Sequence, residues 1–159
     1  MKKNKEIHIR LYQPADLSSV IEVYLSAIRE IAIKDYNPSQ INAWAQADYD
    51  TWSSKCSNRP TWIAKIGQKI VGFSDLEANG HIDRMYVHSA YQNIGVASAL
   101  LCIIEKTAYE QRLSRIFTES SITARPFFEH RGFQAINSQI AVFNKQEFIN
   151  IQMEKSLNQ

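Results

Sequence analysis

The chain has 159 residues, 45% hydrophobic and 21% charged, which suits one globular core and leaves little for a second domain. Its net charge of +2, from 18 basic and 16 acidic residues, argues against a dedicated nucleic-acid binder. No stretch is long and apolar enough to span a membrane, and the N-terminal lysines are not followed by the apolar run of a signal peptide. Cys56 and Cys102 offer neither metal spacing nor a disulfide framework, so a cytoplasmic protein without a bound metal is expected.

Ile7, Ile9 and Leu11 alternate with polar residues and predict a first strand. Pro14-Ala15-Asp16 opens a helix with apolar positions from Leu17 to Ile31. A second helix is expected from Gln40 to about Ala47 with Ser39 as its cap, and residues 48–58 hold at most a short helical turn. Thr61–Ile66 and Lys69–Ser74 read as a hairpin around Gly67-Gln68, and Ile82–Val87 as the next strand. His88 to Asn93 is turn chemistry. From Ile94 the apolar residues Val96, Leu100, Leu101, Ile103, Ile104 and Ala108 recur at a helical period, with Cys102 read as a small buried hydrophobe. A strand over 113–118, a short helix over 124–131 closed by Gly132, strands over 134–143 and 147–153, and a fraying polar tail over 154–159 complete the chain.

The order is β-α-α-β-β-β-α-β-α-β-β. It predicts an α/β (α+β) fold in a single domain over residues 1–159, a mixed central sheet of about seven strands flanked by helices.

At the mouth of the long helix, Gln92-Asn93-Ile94-Gly95-Val96-Ala97 pairs free first-turn N–H groups with residues small enough for close approach. Such a helix start suits a phosphate. Gln92-x-x-Gly95-x-Ala97 resembles the acetyl-CoA signature of the GNAT superfamily of N-acetyltransferases, usually Arg or Gln, two residues, Gly, one residue, then Gly or Ala. A second block, from Ser121 and Ala124 through Phe127-Phe128-Glu129 to Gly132-Phe133, resembles the family's Asn-x-x-Ala-x-x-Phe-Tyr-Glu-Lys-x-Gly-Phe. The two occur in the family's order, with room for one helix and one strand between them.

The resemblance implies a GNAT-like fold in which the strands Met85–Val87 and the one ending near Ser120 splay apart around the pantetheine arm. It implies that Gln92, Asn93, Ile94, Gly95, Val96 and Ala97 hold the pyrophosphate through backbone N–H groups, with the Ser98 hydroxyl in reach. Met85, Tyr86 and Val87 would pair with the pantetheine amides, and the Val87 N–H would face the charge developing on the thioester oxygen. Ser120, Ser121 and Phe128 would border the cofactor. An amine with a pKa near 10 is mostly protonated at neutral pH, so a base assists attack. His81 and Asp83 are the candidates, with Glu77 behind them. His81, Asp83, Met85 and Val87 are expected on one face, with Ile82, Arg84 and Tyr86 on the other.

Phe128 stands where the family commonly carries a Tyr acid, and Ser121 stands in place of its Asn. Water, Ser120, Ser121 or Tyr86 would then protonate the thiolate. Phe127 is expected in the core. Tyr36, Trp44, Tyr49 and Trp52 line an acceptor pocket or a homodimer face, or else join the core, the role expected of Trp44. The implied function is transfer of an acetyl group from acetyl-CoA to a primary amine of a small molecule, a peptide or an aminoacyl group. The alternative is an acyl-CoA-binding module with little catalysis.

Overall fold

In a computed structural model, residues 6–157 are described. The N-terminal lysines read against a signal peptide and the last two residues of the polar tail therefore lie outside the described residues. Seven strands form, but in two sheets rather than one. β1 (Ile7–Leu11), β2 (Thr61–Ile66), β3 (Lys69–Asp75) and β4 (Met85–Val87) make an antiparallel sheet in the order β1-β2-β3-β4. β5 (Arg115–Ser120), β6 (Gln134–Phe143) and β7 (Gln146–Ser156) make a second, in the order β5-β7-β6. The β6–β7 turn is Asn144-Lys145, both with positive φ (46° and 65°), the geometry whose twist suits a two-residue hairpin. β7 runs on through Ser156, so Glu154 to Ser156 pair with β5 rather than fray.

Helices α1 (Leu17–Ser26), α2 (Pro38–Trp44) and α3 (Tyr49–Asn58) precede β2; α4 (Val96–Glu110) and α5 (Arg125–His130) follow β4 and β5. Asn37, not Ser39, caps α2: its side chain accepts from the Gln40 N–H while the Gln40 side chain accepts from the Asn37 N–H. Residues 48–58 hold a full ten-residue helix rather than a single turn, capped by Asp48, whose carboxylate accepts from the Thr51 N–H. Its weak periodicity follows from burying only Trp52 and Cys56.

Two cores result. One lies between α1–α3 and the first sheet, around Val20, Ile28, Trp52, Ile63 and Phe73. The other is built on α4, whose Leu100, Leu101 and Ile104 meet Val71 of the first sheet and Ile116, Ile151 and Met153 of the second. α4 thus joins the sheets. Each such side chain contributes about 1.5–3 kcal/mol. Cys102 is exposed on the outer face of α4, contrary to the burial expected of it, because its neighbours Leu101 and Ile104 take the inward positions. In the second block the two phenylalanines exchange roles: Phe128 is buried with Phe133, and Phe127 is only half-buried.

Candidate active site

β4 and β5 are facing edges of the two sheets, and they touch at one point. His81 bridges Phe117 in parallel register; the Ile82 N–H donates to the Phe117 oxygen (2.8 Å) and the Phe117 N–H to the Gly80 oxygen (3.0 Å). Gly80 has φ +96°, and a Cβ there would sit 2.5 Å from the Arg115 oxygen, so this joint closes only around glycine. Beyond it the strands part.

The alternation expected along 81–87 breaks at the joint. Asp75 Oδ1 accepts from both the Asp83 and the Arg84 N–H (2.9 and 3.0 Å), so two consecutive amides point the same way. Ile82 therefore packs in the α4 core with Met85 and Val87, while Tyr86 joins the α1–α3 core. From Met85 the strand is regular. The His88 N–H donates to the Val71 oxygen (2.8 Å), and residues 85–87 pair with β3. Alternation then turns the N–H groups of Met85 and Val87 away from β3 and into the gap.

A cleft of about 780 Å³ runs from this gap to the start of α4. Met85, Tyr86, Val87, Gln92, Asn93, Gly95, Val96, Ala97 and Ser98 border it, and so do Ser121 and Phe128. Gly95 caps α4 with φ +97° and an open Cβ side, the nearest atom being Ile7 Cδ1 at 3.9 Å. The Val96, Ala97 and Ser98 N–H groups, at the start of the helix, have no carbonyl one turn back within it. The Gln92 side chain turns inward and donates to the Val87 oxygen (2.8 Å), pinning the loop. Ile94 is 51% exposed and does not border the cleft; Ser120 is buried and donates to the Ser121 oxygen, facing neither cavity. Opposite, α1 gives way to a π-helical turn, Ala27–Ile31, whose Ile28 and Ile31 roof the cleft. The periodicity of Leu17–Ile31 predicts regular helix here, and the π-helical turn departs from it. Arg131, which no sequence pattern singles out, borders the cleft and donates to the Ser98 hydroxyl, putting a cation at the helix mouth.

On the other side of the gap lies a chamber of about 810 Å³ between α2, α3, β4 and the β6–β7 hairpin. Its walls include Tyr24, Trp52, Phe143 and Phe148, and its polar groups include Lys55, Asp83, Arg84, Glu119 and Asn150. Trp44, Tyr86 and Ser121 border both cavities and form the throat between them. Of the four aromatics singled out before β2, Tyr36 and Trp52 are buried, Trp44 is half-buried at the throat, and Tyr49 is 53% exposed. Burial pushes the Tyr86 phenol well above its usual range, with a hydrogen bond from Trp44 partly offsetting it. The indole N–H can only donate, so the Tyr86 oxygen accepts from it. Ser121 accepts from the Ala124 N–H (3.0 Å), shaping the turn into α5.

The candidate bases form one network. His81 lies between two carboxylates, Nδ1 to Glu77 at 2.7 Å and Nε2 to Glu119 at 2.5 Å. Burial works against its cation, but Glu119 and Glu77 more than offset that, so its pKa is raised. Two ionised carboxylates can only accept, which requires the imidazolium with both N–H groups donating. His81 itself borders neither cavity, whereas Asp83 and Glu119 border the chamber. Asp83 is held by Arg59 (2.9 Å) and Lys55 (3.6 Å), and Arg59 also reaches Glu77 (3.3 Å). Glu77, His81 and Asp83 are close enough to hold a cation between them, but Arg59 already supplies one. Glu119 is the residue that sequence reading missed. No motif marks it; only the β4–β5 joint brings it to His81.

Two sheets that part around a cleft at a helix start are an architecture this chain shares with known acetyltransferases. Comparisons with known proteins assign the family. The profile of the acetyltransferase (GNAT) domain matches residues 32–157. The N-acetyltransferase YafP of Escherichia coli (strain K12) is 38% identical over 133 residues, 84% of this chain and 85% of that one. A solved GCN5-related N-acetyltransferase from Rhodopseudomonas palustris superimposes with a TM-score of 0.92 at 30% identity, covering 94% of this chain and 95% of the other. PaiA N-acetyltransferase from Thermoplasma acidophilum, solved with coenzyme A, gives 0.76 at 19% identity over 96% and 99% of the two chains. The chain belongs to the GNAT family of acetyl-CoA-dependent N-acetyltransferases. Among the described residues no helix is long and apolar enough to cross a membrane.

Proposed function

We propose that the chain, as a single domain, transfers the acetyl group of acetyl-CoA directly to a primary amine, on a small molecule, a peptide or an aminoacyl group, in a ternary complex. The observation that carries this is the throat: two cavities, one at a phosphate-ready helix start and one walled by aromatic side chains, meet at Trp44, Tyr86 and Ser121. Acetyl-CoA enters from the α4 side, its pyrophosphate on the N–H groups of Gln92 to Ala97 beside Ser98 and Arg131. Its pantetheine amides pair with Met85 and Val87. The amine arrives from the chamber.

The amine lone pair attacks the thioester carbon, forming the C–N bond, and the Val87 N–H faces the resulting oxyanion. Collapse breaks the C–S bond. The thiolate leaves near its own ordinary range and takes its proton from water, since burial makes the Tyr86 phenol a weaker acid than a free one. The nitrogen releases its proton to Glu119, which then re-equilibrates with water. Glu119 is chosen over His81 because it borders the chamber; His81 orients it, and Asp83 is tied up by Arg59 and Lys55. Phe128 supplies no proton and serves as packing.

The test is thiol release from acetyl-CoA across an amine panel, with parent and Glu119→Gln. Amine-stimulated release, reduced about a hundredfold or more by Glu119→Gln with acetyl-CoA binding unchanged, is expected. Tight acetyl-CoA binding without turnover of any amine would leave a binding module instead.

A further inference from the structure

Two polar side-chain atoms among the described residues are buried with no hydrogen-bond partner, Arg84 Nη2 and Asn150 Oδ1. Both residues border the aromatic chamber. Arg84 is only 6% exposed; its Nε donates to Asp75 (2.8 Å), its Nη1 meets only the Cys56 thiol (3.7 Å), and its guanidinium lies 4.9 Å over the Trp52 ring. A guanidinium anchored on one edge is rigid, and an unmet N–H on the other is costly. Asn150 sits on the opposite sheet. The β5–β7 ladder ends at Ser120 opposite Ile151, so the next residue along β7 falls beside Ser121, at the throat. One unpaired atom is therefore near the point of transfer, and the other is on the β4 wall.

The surrounding charges are balanced. Lys55, Arg59, Arg84 and the imidazolium of His81 face Asp75, Asp83, Glu77 and Glu119 in one connected set. An occupant that brings no net charge disturbs this set least.

Resting on the acetyltransferase reading above, we propose that the acceptor is an amino acid with an apolar body: its amine lies at the throat against Asn150 and Glu119, and its carboxylate on Arg84 Nη2. The acceptor enters as the zwitterion and gives up its ammonium proton to Glu119, which passes it to water before attack and so is free again to take the nitrogen's second proton. Tyr24, Trp52 and Phe148 take the apolar body. Arg84 is a specificity-determining residue: it holds the carboxylate, which is bonded to the same carbon as the reacting nitrogen, and exchanges no proton in the reaction.

The test compares kcat/KM for L-phenylalanine and for phenethylamine, which lacks only the carboxylate, in parent and Arg84→Gln. Phenylalanine should be favoured at least about tenfold by the parent, the scale of one charge-assisted hydrogen bond. Arg84→Gln should cost phenylalanine that advantage, so that the ratio of kcat/KM for the two amines falls to about one. Equal or better use of phenethylamine by the parent, or an equal loss for both amines in the variant, overturns the proposal. If Arg84→Gln does not fold, calorimetry on the parent with coenzyme A decides: N-acetyl-L-phenylalanine should bind tighter than N-acetylphenethylamine, and equal affinity overturns the proposal. Acetylation of other amines without a carboxylate, and of neither probe, overturns the acceptor class but leaves the acetyltransferase standing. Absence of acetyl-CoA binding would bring down both.

Discussion

The two cavities meet at one throat but are built in opposite ways. The cleft at α4 has one wall of contiguous chain: β4, the loop behind it and the first turn of α4 fall within residues 85–98 and offer mostly backbone, while Ile28, Ile31, Phe128 and Arg131 close it from elsewhere. The chamber draws side chains from α1, α2, α3, β4, β5 and the β6–β7 hairpin. A ligand held by main-chain N–H groups needs only local geometry and small residues. A ligand held by side chains needs distant segments brought together by the whole fold. The first kind of site is hard to alter by truncating side chains and easy to block at one backbone position; the second is the reverse.

The sharpest test of that contrast is Gly95→Glu. Its side chain meets no atom nearer than 3.9 Å at the Cβ, so the clash is small, but φ +97° is unfavourable and the new carboxylate lies where a pyrophosphate would. Acetyl-CoA affinity, read by calorimetry, should drop about a hundredfold or more, like-charge contact costing several kcal/mol. Retained affinity would place the cofactor elsewhere. Next in size is Arg131→Ala, which removes one cation from a site otherwise built of amides. The KM for acetyl-CoA should rise about tenfold with kcat nearly unchanged, and by less in high salt. A larger loss would mean that side chains dominate the cleft as well.

The smallest expected effect concerns the joint. His81 is more basic folded than its ordinary value of 6.5, because Glu119 and Glu77 outweigh the burial that opposes its charge. A raised folded-state value means stability that is complete below the unfolded value and is lost as pH rises through the folded one. Between pH 6 and 9 the Tm of the parent should therefore fall by a few degrees more than that of His81→Asn. Parallel curves would mean that the network contributes nothing.

The contrast also explains what was legible in the sequence. Strand and helix order, the hairpin at Gly67-Gln68 and the Gln92–Ala97 start of α4 were readable because each is set by local periodicity or turn chemistry. The break at Asp83–Arg84 was not, since its cause is a carboxylate eight residues upstream on another strand, Asp75. α3 was underestimated because only Trp52 and Cys56 on it are buried. The parting of β4 from β5 was legible only through the family resemblance, because strand number says nothing about which edges stay unpaired. Glu119 was missed for the same reason: alternation along β5 gives it a face, but only the His81–Phe117 bridge gives it a partner.

That single bridge has a thermodynamic consequence. Below the joint, among the described residues, the facing edges of β4 and β5 leave the Met85 and Val87 amides unpaired, and the two sheets are held together by side-chain packing, the α4 core on one side and Phe148 with the α1–α3 core on the other. In the binding mode proposed above, a pantetheine arm lying in this gap would complete a ladder that the polypeptide leaves unfinished, and would bind the folded chain but not the unfolded one. Melting temperature then becomes a gauge of cofactor supply: at a hundredfold excess over Kd, mass action adds about 2.7 kcal/mol to the folded state. The starved enzyme is the form most exposed to proteolysis.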